Sequence, residues 1–215
     1  CFIAGEKTPG QCGITDYVKL LAQELEKLGH KTERYYFEKN CGELNNLPNA
    51  DLYSIQFAPY AFAKDGIPRR NLNLLARKLR NKKVHLNFHE IWVGAYPNAN
   101  YKERGIGWLQ KKLTLRFINK CKPAWITSSN AAALDRLKQA GVPAIFLYLF
   151  GNIPFLANSK ATTKGQTLNV AFFGTPYADF PYDKLGNFFS NLSNTSGKKL
   201  KIILIGRQRE DAGSN

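Results

Sequence analysis

Apolar positions along the chain change period again and again, and each change marks an element. Cys1–Ala4 is a short apolar run that reads as the tail of a strand. Val18, Leu21, Ala22, Leu25 and Leu28 then recur at helical spacing, and Gly29 stands where a helix C-cap belongs. Thr32–Phe37 predicts a second strand, the alternation in Asp51–Phe57 a third, Leu72–Asn81 a helix, and Val84–His89 a fourth strand. After Gly105 a helix is expected with Ile106, Leu109, Leu113 and Phe117 on one face and Lys112, Arg116 and Lys120 on another. Ala124–Thr127 reads as a strand, Ser128 or Ser129 as the N-cap of a helix ending at Gly141, and Ala144–Leu149 as a buried strand. Strands alternating with helices are the pattern of a parallel sheet flanked by helices, so the fold class is α/β.

The pattern breaks at Gly151. Positions 152–167 are small and polar without period and read as a linker. This leaves 1–151 as one domain. A second begins at 168–215, with a strand at Leu168–Gly174, a helix at Tyr182–Leu192 and a strand at Leu200–Gly206. At roughly 150 residues per domain, the 215 residues amount to more than one domain and less than two. The chain has no Met and opens on what reads as half a strand, so it is expected to start inside a longer protein and to cut its second domain short.

A hydrophobic content of 44% with 22% charged residues is the globular balance and excludes disordered, collagen-like and coiled-coil classes. The charge adds more: the formal net is +15, and between Arg69 and Lys122 fourteen basic residues face only Glu90 and Glu103. Such an excess favours an anionic partner: a membrane surface, a phosphorylated molecule or a nucleic acid. No helix-turn-helix, zinc-finger or RNA-binding signature accompanies it, which disfavours nucleic acid. Cys1, Cys12, Cys41 and Cys121 lack C-x-x-C spacing and read as free thiols of a reducing compartment. The longest apolar run, Ala144–Phe150, is far short of the roughly 20 residues of a spanning helix, and no signal peptide is visible. A cytoplasmic location follows as the expectation.

Three constellations can carry chemistry. The loop Gly10-Gln11-Cys12-Gly13-Ile14-Thr15-Asp16 joins a strand to a helix. Glycines there allow close backbone approach to a ligand, and a helix N-terminus offers N–H groups to phosphate or sugar oxygens. The same residues also suit a plain tight turn with Thr15 or Asp16 as helix cap, and neither a dinucleotide nor a P-loop fingerprint is present. Second, Asn87-Phe88-His89-Glu90-Ile91-Trp92 closes a strand. Ligands of parallel sheets collect beyond strand carboxyl ends, and a His there suits acid–base work or a hydrogen bond to a sugar hydroxyl, or it simply bonds to backbone. His85 and His89 share one strand face about 13 Å apart, too far for one metal. Third, Trp108, Leu109 and Phe117 accompany Lys111, Lys112, Arg116 and Lys120, a composition that suits a helix lying on an anionic bilayer or merely a solvated face.

In their order and spacing the segments resemble the GT-B-type glycosyltransferases of the group 1 class, also called family four. Gly13-Ile14-Thr15-Asp16-Tyr17-Val18, Leu28-Gly29-His30, Phe88-His89-Glu90-Ile91-Trp92, Ile126-Thr127-Ser128-Ser129, Gly151-Asn152-Ile153-Pro154, Val170-Ala171-Phe172-Phe173-Gly174 and Ile202–Gly206 carry the likeness. It implies two Rossmann-like domains, the first holding the acceptor and the second the nucleotide-sugar donor. Gly13 and Gly174 would lie near the donor phosphates and His89 would meet the transferred sugar, with Gly10, Asp16 and Glu90 as candidate substrate contacts. Transfer would retain anomeric configuration and need neither metal nor bound cofactor. Expected partners are a nucleotide-sugar, a glycan or lipid-linked acceptor, and an anionic membrane face.

The sequence departs from that pattern at two places. The paired-glutamate segment of the donor domain does not appear, and Thr175-Pro176-Tyr177 follows Gly174 where Arg and a Lys-Gly pair would grip the diphosphate, with Lys184 a doubtful substitute. These 215 residues alone are therefore expected to be inactive in transfer. Two other functions fit the same residues: a nucleotide-sugar epimerase of the same fold, and a non-enzymatic module that binds anionic surfaces or nucleic acid.

Overall fold

The alternating segments of the first part of the chain pair as a single parallel sheet. In the computed structural model, which describes residues 1–5, 12–37, 44, 46–94, 96, 98–151, 166–174 and 182–206, its strands are β1 (Phe2–Ala4), β2 (Arg34–Tyr36), β3 (Tyr53–Phe57), β4 (Val84–Phe88), β5 (Trp125–Ser128) and β6 (Ile145–Phe146). They lie in the order β2-β1-β3-β4-β5-β6. The helices between them are α1 (Gly13–Lys27), α2 (Pro59–Phe62), α3 (Arg69–Lys78), α4 (Tyr101–Cys121) and α5 (Ala131–Gln139). The chain divides into two compact units, Cys1–Pro154 and Phe155–Asn215, and this sheet belongs to the first.

The strand order explains how the helices sort onto the faces. From β1 the chain steps one way to β2, and from β3 it steps the other way through β4 and β5 to β6. Right-handed crossovers therefore put α1 on one face and α3 and α4 on the other. The register aligns Ile3, Ile55, Leu86 and Ile126 across one face, with Tyr53, Phe57, Val84 and Phe88 beside them. This is the main core, closed by Leu72, Leu75 and Ala76 of α3 and by Phe117 and Cys121 of α4. On the opposite face Phe2 packs under Tyr17, Val18 and Ala22 of α1, while β3, β4 and β5 present Ser54, Gln56, His85, Asn87 and Thr127.

Helix ends follow local chemistry. Gly29 (φ +88°) takes the left-handed position after α1, where its N–H donates to the Glu26 carbonyl and that of His30 to the Leu25 carbonyl, closing a Schellman motif. Gly141 does the same after α5, with Val142 N–H on the Leu137 carbonyl. Three expectations are corrected. First, the basic helix begins at Tyr101, not after Gly105, because Asn100 and Glu103 form a reciprocal capping box. Its buried stripe runs through Gly107, Gln110, Thr114, Phe117 and Cys121; Gln110 belongs there because it bridges the Val93 N–H and the Gly66 carbonyl. Second, α5 is capped by Asn130, whose side chain accepts from Ala133 N–H, while Ser128 lies in β5 and donates to the Phe88 carbonyl. Third, the expected buried strand at Ala144–Leu149 is a two-residue edge strand, and Ile145 to Phe150 are exposed.

The second unit contains one βαβ step, β7 (Thr167–Phe173), α6 (Tyr182–Ser196) and β8 (Lys199–Ile205), with the strands parallel along seven residue pairs. Phe172 packs edge-on against Phe189 of α6 at 5.7 Å. The expected linker falls almost wholly outside the described residues, and β7 starts at Thr167. Cys1, Cys12 and Cys121 are free thiols, and Cys41 lies outside the described residues.

Two glycines of α4 differ in what surrounds them. A Cβ on Gly107 would overlap the Val93 carbonyl, whereas one on Gly105 would meet nothing. Gly107→Ala should therefore destabilise the first unit by about 1–3 kcal/mol, as overpacking against backbone does. Gly105→Ala should stabilise it by roughly 0.5–1 kcal/mol through helix propensity. Urea unfolding midpoints of the two variants check the pair, and shifts of the same sign would contradict it.

Candidate functional site

The polar face of the sheet is organised as a closed ring of hydrogen bonds. Gln56 Nε2 donates to Ser54 Oγ at 2.8 Å, and Ser54 Oγ meets His85 Nδ1 at 2.9 Å. His85 Nε2 meets Thr127 Oγ1 at 2.8 Å, Thr127 donates to Asn87 Oδ1 at 2.7 Å, and Asn87 Nδ2 returns to Gln56 Oε1 at 3.0 Å. One donor order satisfies every member: the Ser54 hydroxyl donates to His85 Nδ1, and His85 carries its proton on Nε2. Ser54, Gln56, Asn87 and Thr127 are buried. The closed ring is what makes that burial tolerable, since a buried polar group without a partner is costly.

His89 is attached to this ring from outside. It follows β4, its backbone N–H donates to the Phe57 carbonyl at 3.0 Å, and its Nε2 lies 2.8 Å from Gln56 Oε1. That oxygen only accepts, so His89 carries its proton on Nε2, and the 3.2 Å approach of Asn87 Nδ2 is then no more than a contact. Nδ1 keeps its lone pair and makes no hydrogen bond to a described residue. The rings of Tyr17 of α1 and His89 meet in a T-shaped contact at 5.2 Å, and Phe150 stacks on Tyr17 at 4.8 Å. Burial drives the His89 pKa from its ordinary 6.5 down to about 4 and also lowers that of His85. His89 is thus a neutral hydrogen-bonding group with one orientation fixed from behind.

The other expected site residues separate. Gly13 is the first residue of α1, with Cys12 in the extended cap position. Thr15 and Asp16 lie inside the first turn, so neither caps the helix. Asp16 there puts an acid at the favourable end of the helix dipole. Glu90 is exposed next to His89, and its N–H approaches the Phe57 carbonyl at 3.4 Å. Gly10 lies outside the described residues. Gly174 is in the second unit, where it ends β7 in a left-handed conformation (φ +130°) with its N–H on the Ile205 carbonyl. Sequence reasoning gave no role to Gln56, Asn87, Thr127, Ser54 and Tyr17, although Asn87 stood in the segment that singled out His89. The first four had a signal, polar residues at every second position of three strands, but their pairing depends on register.

A cavity of about 710 Å³ opens between α1 and this face, lined among others by Tyr17, Leu21, Ser54, Gln56, His85 and Leu147. It reaches the ring from the amino ends of the strands, and His89 stands beyond it. On α4, Lys112 lies over the exposed Trp108 ring at 5.0 Å and Lys111 over Trp92 at 5.5 Å. No helix among the described residues is long and apolar enough to cross a membrane.

The lowered pKa has a measurable sign. An unfolded chain protonates His89 near 6.5 and the folded one near 4, so its contribution to stability is complete above 6.5 and is lost as pH falls through that interval. Between about pH 6.5 and 4, His89→Gln should lose less stability than the parent chain. Nitrogen-detected NMR should show a neutral Nε2–H ring at pH 6, and a charged ring at that pH would contradict the assignment. Comparison of the chain with protein-family models, with curated proteins and with solved structures finds no match, so the geometry of this face carries the functional reading.

Proposed function

We propose that the chain forms the acceptor-side lobe and the opening of the donor-side lobe of a retaining glycosyltransferase. It would move a hexose-type sugar from a nucleotide-sugar to a glycan or lipid-linked acceptor. The observation that carries the reading is the meeting of His89 with the first turns of α1 through Tyr17. It brings a fixed, neutral His at a strand carboxyl end close to a helix whose N-terminus begins with Gly13. The resemblance in sequence asks for that pair. A helix N-terminus stabilises the negative charge that develops on a departing diphosphate. His89 Nδ1 accepts a hydrogen bond from a sugar hydroxyl and so fixes the ring for attack. The acceptor oxygen bonds to the anomeric carbon as the bond to the diphosphate breaks, and the acceptor proton passes to the leaving diphosphate. Gly10, Asp16 and Glu90 would add further substrate contacts.

Transfer from labelled nucleotide-sugars, measured in the protein as its gene encodes it, tests the reading. His89→Ala should lower kcat by about 10²-fold in a chain that still unfolds cooperatively; unchanged activity would remove His89 from the site. The proposed place of work is the cytoplasmic face of a membrane, supported by the exposed Trp108 beside Lys112. In flotation, vesicles containing anionic lipid should carry the chain and neutral vesicles should not, with Trp108→Ala/Lys112→Ala reducing the effect. Equal flotation with both vesicles would refute it.

A further inference from the structure

At the end of the first unit opposite His89, the fold builds a second concave site. The turns that lead into β4 and β5 lie side by side at the amino ends of the strands, so the last turns of α3 and α4 converge there. Between them is a cavity of about 570 Å³ whose lining includes Arg77, Arg80, Lys82, Lys120 and Lys122, and no acidic residue. Asn73 and Asn81 supply neutral polar groups to it. Lys120 Nζ donates to Asn73 Oδ1 at 3.3 Å, and Lys82 Nζ lies 3.4 Å from Asn49 Oδ1. None of these five cations lies within ion-pair distance of a described carboxylate.

Helix C-termini attract cations, and a single Lys or Arg in each last turn would answer that need. Here the connecting turns add Arg80, Lys82 and Lys122 around the same hollow, more positive charge than two helix ends offset and with no acidic side chain in the lining. A multiply charged anion is the partner that balances this excess. Arginine forks match the oxygens of a phosphoryl group in pairs, and lysines add mobile point charges. We propose that this cavity binds a phosphomonoester or diphosphate group, at a site separate from the one around His89. The inference stands on the cavity and its charges and does not depend on the glycosyltransferase reading. The membrane-facing pair Trp108 and Lys112 lies some three turns back along α4, so the two surfaces can be tested apart.

Calorimetric titration of the chain with pyrophosphate is the first arm, and binding to vesicles bearing phosphatidic acid, against phosphatidylglycerol vesicles of equal charge, is the second. We expect one pyrophosphate per chain, weakened about tenfold or more in Arg80→Gln/Lys82→Gln, the loss appropriate to charge-assisted hydrogen bonds. Arg70→Gln/Lys78→Gln removes the same net charge outside the cavity and should leave binding nearly unchanged. If the first pair unfolds the chain, Arg77→Gln/Lys120→Gln replaces it. Pyrophosphate binding assigns the site to a soluble phosphate. Preference for phosphatidic acid that the cavity variant abolishes, without pyrophosphate binding, assigns it to a lipid headgroup. Absence of both, or equal weakening by the cavity and control variants, overturns the proposal.

Discussion

The arrangement of the first unit depends on a ring of five side chains that must be satisfied together. Gln56, Ser54, His85, Thr127 and Asn87 come from three strands, and each donates to the next. Four of them are buried, so a slip in register of one residue would strand several polar groups at once and turn the apolar face of that strand outward. The ring thus specifies how β3, β4 and β5 align, while the apolar face beneath α3 and α4 supplies the burial that drives folding.

The same ring prepares the candidate chemistry. Gln56 Oε1 accepts from Asn87 and also from His89, so the orientation and proton of His89 are set by a group that is itself held on both sides. A carboxylate at that place would hold the imidazole charged; an amide oxygen leaves it neutral, and burial reinforces this. A neutral imidazole with a free lone pair suits recognition of a hydroxyl better than electrostatic capture of phosphate. Anionic ligands are left to helix N-termini and to the basic groups.

Charge is distributed by the same topology. Because α3 and α4 share one face and end side by side, basic residues that stand forty positions apart gather around one cavity at the amino ends of the strands. The parallel sheet gives the unit two chemically different ends. The carboxyl end carries His89, Tyr17 and the start of α1; the amino end carries the cationic hollow.

Much of the fold was legible because it rests on local periodicity. The helical spacing of Val18 to Leu28, the alternation in Tyr53–Phe57 and Val84–Phe88, and Gly29 and Gly141 after their helices each follow from the residue and its immediate neighbours. His89 could be singled out for the same reason, as a titratable residue closing a strand. Sequence could not say that Ile145–Phe146 would be a sheet edge and the run to Phe150 exposed, because an apolar run reads alike in a central strand and at an edge. Nor could it place Gly107 against the Val93 carbonyl or start α4 at Tyr101, which follow from close backbone approach and from a cap. The partners of His89 lie 33 and 72 positions away along the chain, in Gln56 and Tyr17. Only strand register and helix packing bring such residues together, so the sequence determined the elements and the candidate histidine, and the tertiary structure decided its tautomer, its charge and its neighbours.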